Sequence, residues 1–265
     1  MKKTLIISKQ QRYEGNLILV NASHPLVQQR PRILVSVGAE RNVLLRRQAE
    51  IMLERLMAGV NGWEQVVPVS GWRSMEEQQK IWDDSIQQDG LEFTQKYVAF
   101  PGQSEHQTGL AIDLGEKQDV IDFICPEFPY TGICQQVRER AAAYGFVERY
   151  PAGKEKITGI GHEPWHFRYV GTPHARIMRK MEFTLEEYLM FLKEYRYGEN
   201  PYVYWDGDRK IEISYLPFSD KEETEILADE DKLYRISGDN DEGFIITEWR
   251  RTRAYERESE RKWRA

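Results

Sequence analysis

Two short stretches carry side chains that, brought together, would hold a divalent cation and move a proton. The first is Ser104-Glu105-His106-Gln107-Thr108-Gly109-Leu110-Ala111-Ile112-Asp113-Leu114. Leu110, Ile112 and Leu114 alternate, so they share the core face of a strand, and Asp113 points the other way. His106 lies just before that strand, across Gly109, which permits a tight turn and lets a histidine and an aspartate converge beside the sheet. The second stretch is Gly161-His162-Glu163-Pro164-Trp165-His166-Phe167. In an ideal strand Glu163 and His166 would face opposite ways; Pro164 makes an irregular start to the strand the expectation, with Glu163 at a bend above His166. His106, Asp113 and His166 supply two imidazoles and one carboxylate, a donor set suited to zinc with a fourth position open to water. Such a centre acidifies its water, and a nearby carboxylate can accept the proton and pass one to a leaving amine. Glu163 is the candidate for that work, and Arg73 is the candidate cation for charge developing on a carbonyl oxygen. The helical His-Glu-x-x-His pattern is absent. Any one histidine taken alone is more often structural than a ligand; the four residues jointly carry the reading.

The elements that must position these groups can be read coarsely. Residues 16–20 read as a short strand, Leu45 to Leu56 as a helix after Asn42 stopped by Gly59, and 65–69 as a strand. Ser74 and Glu77 form a capping box, so a helix runs from there to about Gln88 with Gln78, Ile81, Trp82 and Ser85 inward, and Arg73 sits at the strand–helix junction. Short strands are expected at 97–100 and 110–114, a helix at 133–144 ending at Gly145, and strands at 146–150 and 165–170. Thr184 and Glu187 form a second capping box, opening a helix that ends near Gly198. A hairpin turns around Asp206-Gly207, and 243–249 is a further strand. The acidic run 220–242 reads as a solvated face. Strands and helices mix without strict alternation, so the class is α+β.

Composition sets limits. The chain has 265 residues, Lys+Arg 37 against Asp+Glu 43, and a net charge of −6, which argues against a nucleic-acid partner. Aromatics reach 12%, enough for a real core. No stretch approaches a membrane span. The start, Met1 to Asn16, has too short an apolar run for a secretory leader, and the two cysteines, Cys125 and Cys134, form neither a disulfide framework nor a metal pair. A cytoplasmic location is expected.

The ordered motifs add a resemblance. Ser-x-His-x6-Asp followed by Glu-Pro-Trp-His is similar to the VanY/VanXY family of zinc D-alanyl-D-alanine peptidases. Gly71-Trp72-Arg73-Ser74 with Gln78, Asn21 to Leu26, Trp165 to Gly171 and Thr184 to Tyr188 match as well, so the likeness spans roughly residues 16–195. The resemblance implies a small antiparallel sheet flanked by helices, of the hedgehog/D-Ala-D-Ala peptidase type. It implies Zn2+ held by His106, Asp113 and His166, Glu163 as base and then acid, and Arg73 stabilising the tetrahedral intermediate. Gln78, Ser104 and Ser70 would help hold the substrate and Trp165 would form part of the pocket wall. Ser70 stands where dipeptidases of the family often carry an acidic residue, which bears on the balance between the free dipeptide and the pentapeptide cell-wall precursor. The lack of a visible anchor resembles the VanXY branch, whose activity depletes the D-Ala-D-Ala target of vancomycin-type drugs.

Rival readings stay open at this point. An L-alanyl-D-glutamate peptidoglycan endopeptidase on the same scaffold, or a non-catalytic zinc-stabilised binding module, would use the same ligands. Arg168 shares a strand phase with His166 and rivals Arg73 as the cation. His162 is expected to be structural or exposed, and His24 and His174 to cap local turns. The expected domains are 1–198 as catalytic unit, 199–250 as a small β-rich appendage, and 251–265 as a charged, disordered tail.

Overall fold

The structure, a computed structural model, describes residues 1–27, 33–219 and 221–250. In chain order the strands and helices are β1 (Lys2–Ser8), β2 (Leu34–Val37), β3 (Glu40–Arg46), α1 (Arg47–Ala58), β4 (Val66–Ser70), α2 (Met75–Asp89), α3 (Leu91–Tyr97), β5 (Ala111–Glu116), α4 (Gly132–Ala141), β6 (Phe146–Tyr150), α5 (Glu155–Thr158), β7 (Glu163–Tyr169), α6 (His174–Met181), α7 (Leu185–Leu192), β8 (Tyr202–Asp206), β9 (Arg209–Pro217), β10 (Glu223–Asp229), β11 (Lys232–Gly238) and β12 (Gly243–Arg250). The architecture is α+β, as expected. Among the described residues no helix is long and apolar enough to cross a membrane.

The chain divides into two compact units, Leu19–Tyr188 and a second built from Met1–Ile18 with the residues from Leu189 onward. The sequence placed residues 1–198 in one domain; β1 instead pairs along its whole length with β10, from Lys2 opposite Asp229 to Ser8 opposite Glu223. β10 and β11 both arise from the acidic run read as a solvated face. In β10 an alternation is present but masked by charge: Ile226 and Ala228 are buried while Glu225 and Leu227 between and beside them are exposed. The other sheet of this unit runs β11-β12-β9-β8, all antiparallel. Ile7, Ile226, Phe244 and Ile246 form its core. The segment 251–265 lies outside the described residues.

The unit Leu19–Tyr188 is organised around an antiparallel sheet of order β4-β5-β7-β6. Ile112 and Leu114 of β5 are buried in the core. Helix α4 packs on β6 and α1, and α6 packs on β6. The apolar stripes of α1 (Ala49, Leu53, Leu56, Met57) and α4 (Ile133, Cys134, Val137, Ala141) are what these contacts bury, at about 1.5–3 kcal/mol for each large aliphatic side chain. The capping box of α2 is made, with Glu77 N–H donating to Ser74 Oγ at 3.1 Å and Ser74 N–H to Glu77 Oε2 at 2.7 Å. That of α7 is made by Thr184 and Glu187.

Four expectations are corrected. Residues 16–20 join no sheet, although Leu17, Ile18, Leu19 and Val20 are buried. Leu45 belongs to β3, not to the helix: Leu34 pairs with Arg46 and Val35 with Leu45, so the apolar run 43–45 serves a hairpin before the helical face opens at Ala49. Residues 97–100 are not a strand; Tyr97 closes α3, where Thr94 is buried with its Oγ1 2.8 Å from Ser85 Oγ of α2. Helix α7 ends at Leu192, short of Gly198.

Candidate active site

Each functional side chain is delivered by a different local device. His106 lies on a single 3-10 turn, Glu105–Thr108, closed by Gly109 at φ 69°. A left-handed residue there costs a glycine nothing. The turn leads directly into β5, and Asp113 on β5 stands opposite His166 on β7. Strand β7 spends four residues, from Phe167 to Glu163, against two on β6, from Glu148 to Tyr150. Within this irregular stretch Glu163 comes to the side of His166, with Oε2 3.6 Å from Nδ1, as Pro164 suggested. Arg73 is held in the link between β4 and α2. Trp72 N–H donates to Leu44 O at 2.6 Å, and a Cβ on Gly71 would meet Leu44 O at 2.3 Å, so only glycine lets this link lie against β3.

The four groups converge. His106 Nε2 lies 3.0 Å from Asp113 Oδ2, and His166 Nδ1 lies 3.0 Å from Asp113 Oδ1 and 3.6 Å from Glu163 Oε2. One donor atom from each of His106, Asp113 and His166 falls within 4.8 Å of the others, and all three residues are buried. Asp113 Oδ1 is buried and accepts no aligned hydrogen bond. Two imidazole nitrogens and an orphaned carboxylate oxygen facing one point form a possible metal site, and the donor set fits a zinc ion. His106 presents Nε2 because its Nδ1 is taken by Gly71 O at 2.7 Å.

Electrostatics separate the roles. Burial, with Asp113 and Glu105 adding to it and His166 and Arg73 opposing, pushes the Glu163 carboxyl up to about 8. Burial also works on Asp113, but the two histidines outweigh it and hold that carboxylate far below its ordinary range. Burial and then Arg73 push the His106 imidazole down to about 4. Burial disfavours His166 imidazolium too, yet Asp113, Glu105 and Glu163 outweigh it and lift the group to about 9. Glu163 is therefore a carboxyl that can hold a proton near neutral pH beside one that cannot.

The groups border a half-open cleft. Arg73, Ser104, Glu105, His106, Asp113, Glu163 and His166 supply its polar wall; Trp165 lines it together with Tyr97, Val98, Ala99, Ile124, Tyr150 and Ile160. Gln78 and Ser70, expected to touch substrate, do not border the cleft. They hold Arg73: its Nε donates to Ser70 Oγ at 2.8 Å and its Nη1 to Gln78 Oε1 at 3.4 Å, while Nη2 reaches Asp113 Oδ2 at 3.0 Å. Gln78 is fixed in turn by donating to Ala99 O at 2.8 Å. The rival Arg168 is fully buried, pairs with Glu105 at 2.7 Å and does not itself border the cleft.

The remaining histidines are accounted for structurally. His162 Nε2 lies 2.8 Å from Tyr130 Oη, and His24 lies in a turn around the Asn21 side chain. His174, expected as a cap, is instead buried with Nδ1 2.8 Å from Tyr188 Oη. Sequence reasoning missed Glu105 and Tyr150. Glu105 is 1% exposed, and Tyr150 packs its ring 4.8 Å from that of His166. The available signals were that Glu105 adjoins His106 and that Tyr150 ends the aromatic-rich strand Phe146–Tyr150.

Comparisons with known proteins give the chain's relatives. A family model described as VanY, D-alanyl-D-alanine carboxypeptidase, matches residues 42–172. The bifunctional D-Ala-D-Ala dipeptidase and D-Ala-D-Ala carboxypeptidase VanXYC of Enterococcus gallinarum is 40% identical over 183 residues, covering 68% of this chain and 96% of that protein. The solved vancomycin resistance D,D-dipeptidase VanXYg, in complex with a D-Ala-D-Ala phosphinate analog, superposes with a TM-score of 0.92 at 47% identity, covering 94% of this chain and 100% of that one. A variant of the D,D-pentapeptidase VanY from a VanB-type resistance cassette, solved with Zn(II), gives a TM-score of 0.54 at 29% identity over 66% of this chain and 99% of that one.

Proposed function

The chain belongs to the VanY family of D-alanyl-D-alanine carboxypeptidases, and from that membership we propose that it hydrolyses the D-Ala-D-Ala bond, both in the free dipeptide and at the end of the pentapeptide cell-wall precursor. One observation carries the reading: His106, Asp113 and His166 present converging donor atoms at a cleft where the Glu163 carboxylate lies 3.6 Å from His166 Nδ1. These three residues would hold Zn2+. Zinc, when bound, acidifies a water molecule and polarises the scissile carbonyl.

The protein's own groups do the rest. Glu163 accepts the proton of the attacking water as the new C–O bond forms, then returns it to the departing amine of the terminal D-Ala as the C–N bond breaks. A carboxyl raised to about 8 by burial is suited to both halves of that cycle. Arg73, fixed by Ser70 and Gln78, directs guanidinium N–H groups toward the carbonyl oxygen on which charge develops. The Ser104 hydroxyl is available to donate to the substrate's free carboxylate, and Trp165 walls the space for the alanine methyl groups. Removal of the terminal D-Ala takes away the group that vancomycin-type glycopeptides bind, so the activity supports resistance. The free thiols of Cys125 and Cys134 support a reducing, cytoplasmic setting.

The test is direct. Purified protein is offered D-Ala-D-Ala, the pentapeptide precursor and a stem peptide with an L-alanyl-D-glutamate bond. D-Ala release from the first two, abolished by chelation and restored by zinc, is the expected result. Cleavage of the third alone would replace the proposal with the endopeptidase reading, and no cleavage by the zinc-loaded protein would leave a binding module.

A further inference from the structure

The two imidazoles of the site are oriented by different devices. His106 Nδ1 is fixed by a backbone carbonyl, that of Gly71 at 2.7 Å. His166 faces Asp113 with Nδ1, so the proton its ring carries on donating from Nδ1 must sit on Nε2. That Nε2 is buried and has no hydrogen-bond partner. The group facing it is Glu105 Oε2, 3.7 Å away, which is also buried and also without a hydrogen-bond partner.

Glu105 is held by unusual means. Its other oxygen, Oε1, accepts from Arg149 Nε at 2.8 Å and from Arg168 Nη1 at 2.7 Å, and all three side chains are fully buried. Arg149 is in turn clamped by Glu186 on the first turn of α7, through Nη1 to Oε2 at 2.9 Å and Nη2 to Oε1 at 2.7 Å. The two arginines and two glutamates balance in charge. Yet both arginines converge on Oε1, which leaves Oε2 aimed at the histidine. A cluster that served charge balance alone would have no reason to keep one carboxylate oxygen clear of its cations.

We propose that Glu105 is a positioning residue for the metal site: its carboxylate, locked by Arg149 and Arg168, receives the Nε2–H of His166 and holds that ring with Nδ1 directed at the ligand cluster. The inference rests on the reading of His106, Asp113 and His166 as metal ligands. A carboxylate behind a ligating imidazole fixes the tautomer and raises the basicity of the donor nitrogen. The line Glu186–Arg149–Glu105–His166 thereby ties the start of α7 to the site.

Zinc titration of the metal-stripped protein, read by calorimetry alongside thermal melting, tests this without relying on turnover. Wild type should bind zinc, and Glu105→Gln should bind it about 10–100-fold more weakly. Glu186→Gln breaks the outer end of the same cluster; it should melt earlier and bind zinc as wild type does. Should Glu105→Gln not fold, the zinc-loaded wild type labelled with 15N-histidine serves instead: the His166 Nε2–H resonance should lie downfield of the amide envelope and exchange slowly. Equal zinc affinity in Glu105→Gln and wild type, equal losses in both variants, or a rapidly exchanging Nε2–H would overturn the positioning role alone. Failure of wild type to bind zinc would instead remove the metal reading, and this proposal with it.

Discussion

Asp113 and His166 are cross-strand partners whose Oδ1 and Nδ1 atoms lie 3.0 Å apart, yet that carboxylate oxygen accepts no aligned hydrogen bond. Such a contact is short for two atoms that do not share a well-placed proton, and it suits two lone pairs facing a common ion. Asp113→Ala should therefore remove zinc binding altogether and bring D-Ala release to background. In the metal-free protein the same change strands Arg73, whose Nη2 is 3.0 Å from Asp113 Oδ2. Loss of one partner of a buried pair costs about 3–5 kcal/mol, so denaturant melting should show the variant clearly destabilised.

Glu163→Gln keeps the shape of the cleft and removes the proton acceptor. The variant should retain zinc at wild-type stoichiometry and lose about 10²–10⁴-fold in turnover. Metal analysis and D-Ala release on the same sample check this; undiminished turnover would assign the base elsewhere.

The raised Glu163 also sets a pH dependence of stability in the metal-free protein. Its folded value, about 8, lies above the ordinary 4.5. Below 4.5 the proton is held in both folded and unfolded chains, and this group's contribution is fully present. Between 4.5 and about 8 the unfolded chain gives up the proton and the folded one keeps it, so stability falls as pH rises, by about 1.4 kcal/mol per pH unit for a single such group. Glu163→Gln lacks this loss. Melting curves of the two metal-free proteins should therefore diverge in favour of the variant as pH climbs through that window, and parallel curves would contradict the assignment.

Gln78 and Ser70 act through Arg73. Arg73→Ala should lower kcat by about 10²–10³-fold, the scale of a lost oxyanion donor. Gln78→Leu and Ser70→Ala should give smaller losses in kcat with zinc binding intact, because each removes one of the anchors on the guanidinium. Arg73→Lys should not rescue, since an ammonium cannot reproduce the three-way geometry of the fork.

Phe244 lies in the core of the unit that contains β1 and β8–β12, packed with Ile7, Ile226 and Ile246. Phe244→Ala should cost about 3–5 kcal/mol. Chemical denaturation with Trp fluorescence, read with D-Ala release under native conditions, separates a loss of stability from a loss of chemistry.

Much of the site was legible because its residues obey local rules. Asp113 is out of phase with Ile112 and Leu114, Gly109 marks the turn after His106, and Ser74 with Glu77 marks the start of α2. What escaped was long-range. Glu105 gains its meaning from Arg149 and Arg168, which lie 44 and 63 residues away in sequence. Gln78 and Ser70 were taken for substrate contacts because only the folded chain shows that Arg73 stands between them and the cleft. In β10 a two-residue alternation was present, but glutamates on its exposed side made the segment look like a solvated run. β1 was read for export signals rather than for pairing, and its partner lies more than two hundred residues on.

The pairing of β1 with β10 has a bearing on biosynthesis. Lys2–Ser8 is synthesised more than two hundred residues before Glu223–Asp229 and can find no partner until that strand has emerged, whereas Leu19–Tyr188 contains every element of the sheet that carries Asp113 and His166. The nascent polypeptide must carry an unmatched apolar ribbon, with Leu5, Ile6 and Ile7 in a row, while the intervening residues are made. Deleting or mispairing β1 would thus strike the last-closing part of the molecule and leave the edge of β10 open to strangers.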